Sequence, residues 1–137
     1  MSVNISTDDL GSAINAYLQE MSQQVSEGLK HAAVVTAKST VDYLHTNSPK
    51  RAKTSKHAVP GAYAKNWASS ETQNRFRTSV TVYNRNYYQL THLLEYGHAD
   101  RAGGRVDGIP HIEPASQLAA QAFEANAKQC IEEELGR

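Results

Sequence analysis

Apolar residues in the first third of the chain recur every three or four positions, as on one face of a helix. They are Leu10, Ile14, Leu18, Met21, Val25, Leu29 and Ala32, with Val35, Val41 and Leu44 continuing the run less regularly. This spacing predicts a long amphipathic helix over residues 1–46. Ser6-Thr7-Asp8-Asp9 suits its start, and Asn47-Ser48-Pro49 suits its end. Gly28 weakens the helix by about 1 kcal/mol relative to alanine, which favours a bend or break there.

The middle of the chain begins with a segment that has no hydrophobic period. Residues 50–60 contain the basic side chains Lys50, Arg51, Lys53 and Lys56, and we interpret them as a basic loop. Beyond residues 61–67, a strand is indicated by apolar or β-branched positions that alternate with polar ones. Those positions are Phe76, Thr78, Val80 and Val82, the pattern of a strand with one buried face.

A short helix and a glycine-rich loop are predicted next. Leu90, Leu93 and Leu94 have helical spacing, and Gly97 suits the end of that helix because glycine accepts a positive φ. Residues 98–113 form the loop, which includes Pro110, and part of it is expected to extend as a strand through Arg105 and Val106. Pro114 favours the first turn of a final helix over residues 114–135.

These elements predict an α+β fold in a single domain of residues 1–137. Its parts are a long N-terminal helix, a small curved antiparallel β-sheet and a C-terminal helix packed on the sheet. The apolar share of 39% is low, so we expect a modest core and surface that a partner covers. The only cysteine, Cys130, falls on the apolar face of the last helix and is predicted to be buried. Neither a secretory signal nor a membrane span is evident.

The formal net charge of zero hides an uneven distribution. Residues 50–105 hold ten basic and three acidic side chains, whereas residues 1–49 hold two and five and residues 106–137 hold two and six. Such asymmetry suits subunits that pack a basic face against an acidic one, a solvated surface, or a basic loop that faces nucleic acid.

Candidate chemistry is sparse. Glu95, His98, Asp100, His111 and Glu113 could hold a metal, but their spacing matches no specific ligand pattern. We therefore predict no metal, no cofactor and no catalytic residues. A metal-dependent hydrolase built on His98 and His111 remains an alternative.

A second alternative is a small DNA-binding module. The basic residues of loop 50–57 could contact phosphates, and Tyr63 and Trp67 could stack on bases. The zero net charge argues against a free-standing binder.

Three short motifs carry a resemblance to a known family. They are Gly61-Ala62-Tyr63-Ala64-Lys65-Asn66-Trp67, Leu94-Glu95-Tyr96-Gly97 and, after a glycine-rich loop, His111-Ile112-Glu113-Pro114-Ala115. In this order they resemble the siphophage head-tail joining, or tail-completion, proteins. The resemblance implies a virion protein, made in the host cytoplasm, that forms a ring of six or twelve copies between connector and tail-terminator or tail-tube proteins, with DNA passing through. It implies no catalytic residues.

Within that resemblance, two groups of residues are singled out. Lys50, Arg51, Lys53, Lys56, Arg101 and Arg105 are the candidates for contact with a neighbouring subunit, the tail tube or DNA. Glu95, Gly97, Pro110 and Pro114 are interpreted as structural, with Glu95 bracing the loop through Arg101 or Arg105.

Overall fold

The computed structural model describes residues 9–50, 59–74 and 77–136. Its helices are α1 (Leu10–Asn47), α2 (Ala62–Lys65), α3 (Thr91–Tyr96) and α4 (Ile112–Leu135). The strands are β1 (Trp67–Gln73), β2 (Thr78–Asn84), β3 (Gly97–Ala99) and β4 (Arg105–Asp107), and a 3-10 turn covers Tyr88–Leu90. The predicted α+β fold with long first and last helices is confirmed.

Helix α1 is continuous over 38 residues, about 57 Å at 1.5 Å per residue. The helix has no break near Gly28, and the glycine lies where α1 packs closely against α4. A Cβ on Gly28 would lie 2.9 Å from the Cα of Ile131 in α4, so the glycine lets two helix backbones approach closely. The predicted end is confirmed: Ser48 is extended ahead of Pro49, and its N–H donates to Leu44 O at 3.0 Å. The residues proposed to start the helix, 6–8, lie outside the described residues.

Helix α4 runs antiparallel along α1. Ala115 lies in one buried cluster with Leu44, Asn126 donates to the hydroxyl of Thr36 at 3.1 Å, and Gly28 faces Ile131. The predicted packing partner was the sheet, yet most of the contacts of α4 are with α1. Cys130 is buried, as predicted.

The strands form two separate antiparallel pairs rather than one sheet. In the first, β1 and β2 pair from Trp67 opposite Asn84 to Gln73 opposite Thr78. In the second, the short strands β3 and β4 turn part of the predicted glycine-rich loop into a hairpin, with Gly97 opposite Asp107. Phe76, predicted to belong to the strand, lies outside the described residues.

The core lies where α1, α2, β1 and the start of α4 meet. Its buried cluster is Leu44, Tyr63, Trp67 and Ala115. Polar contacts hold these elements together: the indole Nε1 of Trp67 donates to the hydroxyl of Ser48 at 2.8 Å, and a ring nitrogen of His45 is 2.9 Å from Trp67 O. The end of α1 and the start of β1 are therefore held together by side chains as well as by packing.

Candidate assembly site

Glu95, at the end of α3, anchors the start of α4. Its carboxylate is 4% exposed and accepts three backbone hydrogen bonds, from His111 at 2.7 Å, Ile112 at 2.8 Å and Glu113 at 2.9 Å. The first turn of a helix has N–H groups without internal partners and carries partial positive charge. His111 offers no capping side chain, so a carboxylate from 16 residues earlier caps the helix instead.

This arrangement sets the ionisation of Glu95. Burial alone raises the pKa of a carboxyl, but the three backbone donors and the nearby His111 ring outweigh it. The pKa of Glu95 is therefore below its ordinary value. The carboxylate stays charged at neutral pH, and that charge strengthens each hydrogen bond to the helix.

His111 and Tyr63 extend the buried cluster around Glu95. The Tyr63 hydroxyl lies 2.8 Å from Nε2 of His111, whose Nδ1 is 2.8 Å from Ile109 O and 3.0 Å from Glu95 Oε2. With the hydroxyl as donor, Nδ1 carries the ring proton and points toward both oxygens. Burial, followed by the charge of Glu95, raises the pKa of Tyr63 to about 12. The two residues thus join α2 to the start of α4.

Gly97 and Gly108 fasten the β3–β4 hairpin to α3. Gly97 has φ +82°, and a Cβ there would collide with the backbone of Val106 and Gly108. A Cβ on Gly108 would collide with the backbone of Glu95 and Tyr96. Gly97 has the predicted positive φ, although its ψ of 176° leads into a strand rather than a left-handed turn.

The arginines of the hairpin are exposed and do not brace Glu95. Arg105 donates to Tyr96 O at 2.6 Å, and Arg101 lies at the exposed turn. The predicted link from Glu95 to Arg101 or Arg105 is wrong, because the oxygens of the Glu95 carboxylate accept hydrogen bonds from backbone N–H groups instead. Pro110 is exposed just before His111, and Pro114 lies in the first turn of α4 as predicted.

Of the predicted basic loop, Lys50 belongs to the described residues, whereas Arg51, Lys53 and Lys56 lie outside them. Lys50 is exposed, and its ammonium donates to Thr46 O at 3.1 Å. Together with His98 and Ile109 it lines a depression of about 550 Å³. This depression brings the start of the basic loop close to the base of the β3–β4 hairpin.

A second depression, which the sequence did not predict, lies between α1, the β1–β2 pair and α4. We call it the apolar groove. Its volume is about 510 Å³, and it has no charged side chain in its lining. Small residues of both helices form much of it, namely Ala33, Ala37, Ala115, Ser116, Ala119 and Ala120. Trp67, Val80, Val82 and Phe123 supply larger apolar surface.

The first three turns of α1 carry an uncovered apolar stripe. We call residues 10–21 the arm. Leu10, Ile14, Tyr17, Leu18 and Met21 are 39 to 65% exposed. Their positions fall within about 100° around the helix axis, the width of a face that normally packs against something. The sequence predicted this amphipathic face but not that it would lie uncovered.

Metal and membrane sites were also considered. The described residues contain no group of three or more His, Cys, Asp and Glu side chains placed to hold a metal ion. His111 is 1% exposed with both ring nitrogens in contact with polar partners, and His98 Nδ1 is buried with no hydrogen-bond partner in the described part of the chain. None of the described helices is both long and apolar enough to span a bilayer.

Comparison with known proteins gives one family. The model of the family described as "Bacteriophage HK97-gp10, putative tail-component" matches residues 12–97, from the arm through Gly97. No curated protein and no solved structure matches the chain. Two of the three motifs noted in the sequence, residues 61–67 and 94–97, fall within the matched range. Because the match covers more than half of the chain, this protein belongs to the HK97 gp10-like family of bacteriophage tail components.

Proposed function

We propose that this protein is a structural, non-enzymatic component of the phage virion at the head-tail interface. In this proposal it completes the tail or joins it to the head, as a ring of six or twelve copies between the connector and the tail-terminator or tail-tube proteins. Membership of a tail-component family supports the structural role. The chain would be made in the cytoplasm of the bacterial host and function in the virion.

The observation that carries the assembly proposal is the amount of uncovered apolar surface. Among the described residues, nineteen large apolar side chains are exposed, whereas the large ones that are buried are Leu44, Tyr63 and Trp67. Five of the exposed side chains form the continuous stripe of the arm, and a contiguous exposed apolar patch usually marks an interaction site. Subunit contacts in an assembly would cover it.

The charge distribution supports a head-to-tail arrangement. A ring needs two different surfaces on each subunit that complement each other. The middle of the chain is basic and its ends are acidic, and in this proposal they supply the two complementary surfaces. This arrangement favours association in one orientation and opposes contact between like surfaces.

Passage of DNA through the ring gives the basic residues a role. Lys50, Arg101 and Arg105 are exposed near one end of the fold, and Arg51, Lys53 and Lys56 follow Lys50 in the sequence. Lysine and arginine contact phosphates without reading bases, which suits DNA sliding through a channel. We propose that these residues line the channel or contact the neighbouring tube.

The proposal is tested by the mass of the purified chain in solution, from light scattering across concentration, with negative-stain images of large species. Rings of six or twelve copies are expected. Alanine at Lys50, Arg51, Lys53 and Lys56 should then lower DNA affinity and its salt dependence while leaving the rings intact. A monomer at every concentration, alone and with the connector and tail-tube proteins, would contradict the ring.

A further inference from the structure

The arm extends beyond the helix that covers the rest of α1. Helix α4 has 24 residues, about 36 Å, against about 57 Å for α1. Leu135, the last residue of α4, lines the same shallow depression as Met21 and Gln24. Tyr17 lines the same depression, so α4 ends beside the second half of the arm, and Leu10 and Ile14 lie beyond the end of α4 in the described part of the chain.

The apolar groove has the dimensions and lining to receive a helix. It continues into a neighbouring depression of about 510 Å³, with which it shares Ala33 and Phe123. Together the two run along α1 from Ser26 to Leu44, about 27 Å, while the arm is about 17 Å long. Small side chains in the lining allow an incoming helix backbone to approach closely.

The charges of the arm and of the continuation of the groove are also opposite in sign. The arm contains Glu20 and no basic residue, and Asp9 directly precedes it. The continuation of the groove is lined by Lys30 and Arg77. Lys30 is 3.7 Å from Glu71, and an acidic arm beside it would add a second carboxylate to that pair. Burying the arm in the groove thus places negative charge near positive charge at the open end.

The arm that fills the groove must come from another molecule. The arm and one wall of the groove are parts of the same unbroken helix α1. A continuous helix cannot fold back on itself, so a subunit cannot place its own arm in its own groove.

We propose that the arm of one subunit lies in the apolar groove of the next, and that this contact forms the ring. The inference rests on the proposed function and deepens it, because it names the two surfaces of the head-to-tail interface. Each subunit then gives one arm and receives one, as a closed ring requires.

The test uses one variant for each surface of the full chain. Ile14→Glu with Leu18→Glu places charge on the exposed arm, and Ala120→Glu places charge on an exposed position of the groove. Asn15→Glu with Gln19→Glu and, separately, Gln121→Glu are the matched controls, because they add the same charge to exposed positions off the stripe and off the groove lining. Circular dichroism checks that each variant is folded.

Each variant alone should associate at least about a hundredfold more weakly than the wild-type chain, and the controls should form normal rings. Mixing the arm variant with the groove variant should give a 1:1 dimer and nothing larger, because one intact arm can enter one intact groove. Light scattering and native mass spectrometry measure this.

The outcomes separate the two proposals. Rings formed by the arm or groove variant with wild-type affinity would overturn the arm-in-groove contact and leave the ring proposal standing. Variants that weaken the rings but do not restore a dimer on mixing would also overturn it, since the two surfaces would then not be partners. A wild-type chain that remains monomeric would overturn the ring and the contact together.

Discussion

Gly97 and Gly108 face each other across the base of the β3–β4 hairpin, and neither has space for a Cβ atom. Gly97 also has a positive φ, whereas the obstacle at Gly108 is steric contact with the backbone of Glu95, Tyr96 and Gly97. The end of α3 and the return of the hairpin are thus held at backbone contact distance. Neighbouring Ile109 strengthens this joint by donating its N–H to Leu94 O at 2.7 Å.

Alanine at either glycine should therefore destabilise the protein. We expect Gly97→Ala to lower the free energy of unfolding by at least about 3 kcal/mol, since it adds both backbone strain and a collision. Gly103→Ala is the matched control, because Gly103 has φ +92° but open space around it, and it should cost about 1 kcal/mol. Urea unfolding measures both, and equal losses would show that the close contact is unimportant.

Replacing each of the two glycines of α1 by alanine should change the stability of the protein in opposite directions. At Gly11 a Cβ meets nothing within 4 Å, so Gly11→Ala should stabilise the helix by up to about 1 kcal/mol. At Gly28 a Cβ would lie 2.9 Å from the Ile131 backbone, and Gly28→Ala should cost about 1 to 3 kcal/mol as the helices separate. Thermal unfolding of the two variants measures this difference. Stabilisation by both would mean that α1 and α4 do not cross so closely.

Removal of the Glu95 charge should weaken the protein in a pH-dependent way. The folded-state pKa of Glu95 is below 4.5, so its stabilising contribution is full above that pH and is lost as the pH falls through the folded value. Glu95→Gln should cost about 2 to 3 kcal/mol at pH 7 and progressively less below pH 4.5. Unfolding at a series of pH values compares it with Glu113→Gln, an exposed change in the same helix turn. If the stability difference between Glu95→Gln and the wild-type chain stayed constant down to pH 3, the charged cap would be contradicted.

The stabilising contribution of Tyr63 should depend on pH in the opposite sense, with the loss at alkaline pH. Its folded-state pKa is about 12 against an ordinary value of 10.0, so its contribution is full below pH 10 and is lost as the pH rises toward 12. Tyr63→Phe should cost about 1 to 2 kcal/mol at pH 7, because His111 Nε2 loses its partner. The difference from wild type should shrink or reverse between pH 10 and 12. Tyr88→Phe, at an exposed position, should show neither effect.

The elements that follow from local sequence were predictable. The apolar spacing of α1, the glycine at the end of α3 and Pro114 in the first turn of α4 act within a few residues of themselves. The loop between α3 and α4 was expected to contain a strand near Arg105 and Val106, and β4 covers both. In these places the backbone conformation depends on near neighbours.

Features that depend on distant contacts were not predictable. Strand β1 has the sequence Trp-Ala-Ser-Ser-Glu-Thr-Gln, in which apolar and polar residues do not alternate. Only its first two residues are buried, and the rest of the strand is held by its pairing with β2. The hydrogen bonds from the start of α4 to Glu95 join residues that are 16 to 18 positions apart in the sequence. From the sequence, the expected partner of Glu95 is therefore a nearer residue, Arg101 or Arg105. The apolar groove needs three separate elements, and no single segment shows it.

Ile112 and Glu113 donate to Glu95 through their backbone N–H groups, which every residue except proline possesses. The exposed side chain of Glu113 can therefore change without loss of the cap, while position 95 has to keep a carboxylate of suitable length and Ile112 keeps its packing against the core. Across related phages we expect divergence at position 113 and constancy at position 95. The exposed face of the first turn of the last helix is then free to adapt to the partner of each phage, while Ile112 and Ala115 keep the inner face packed on the core.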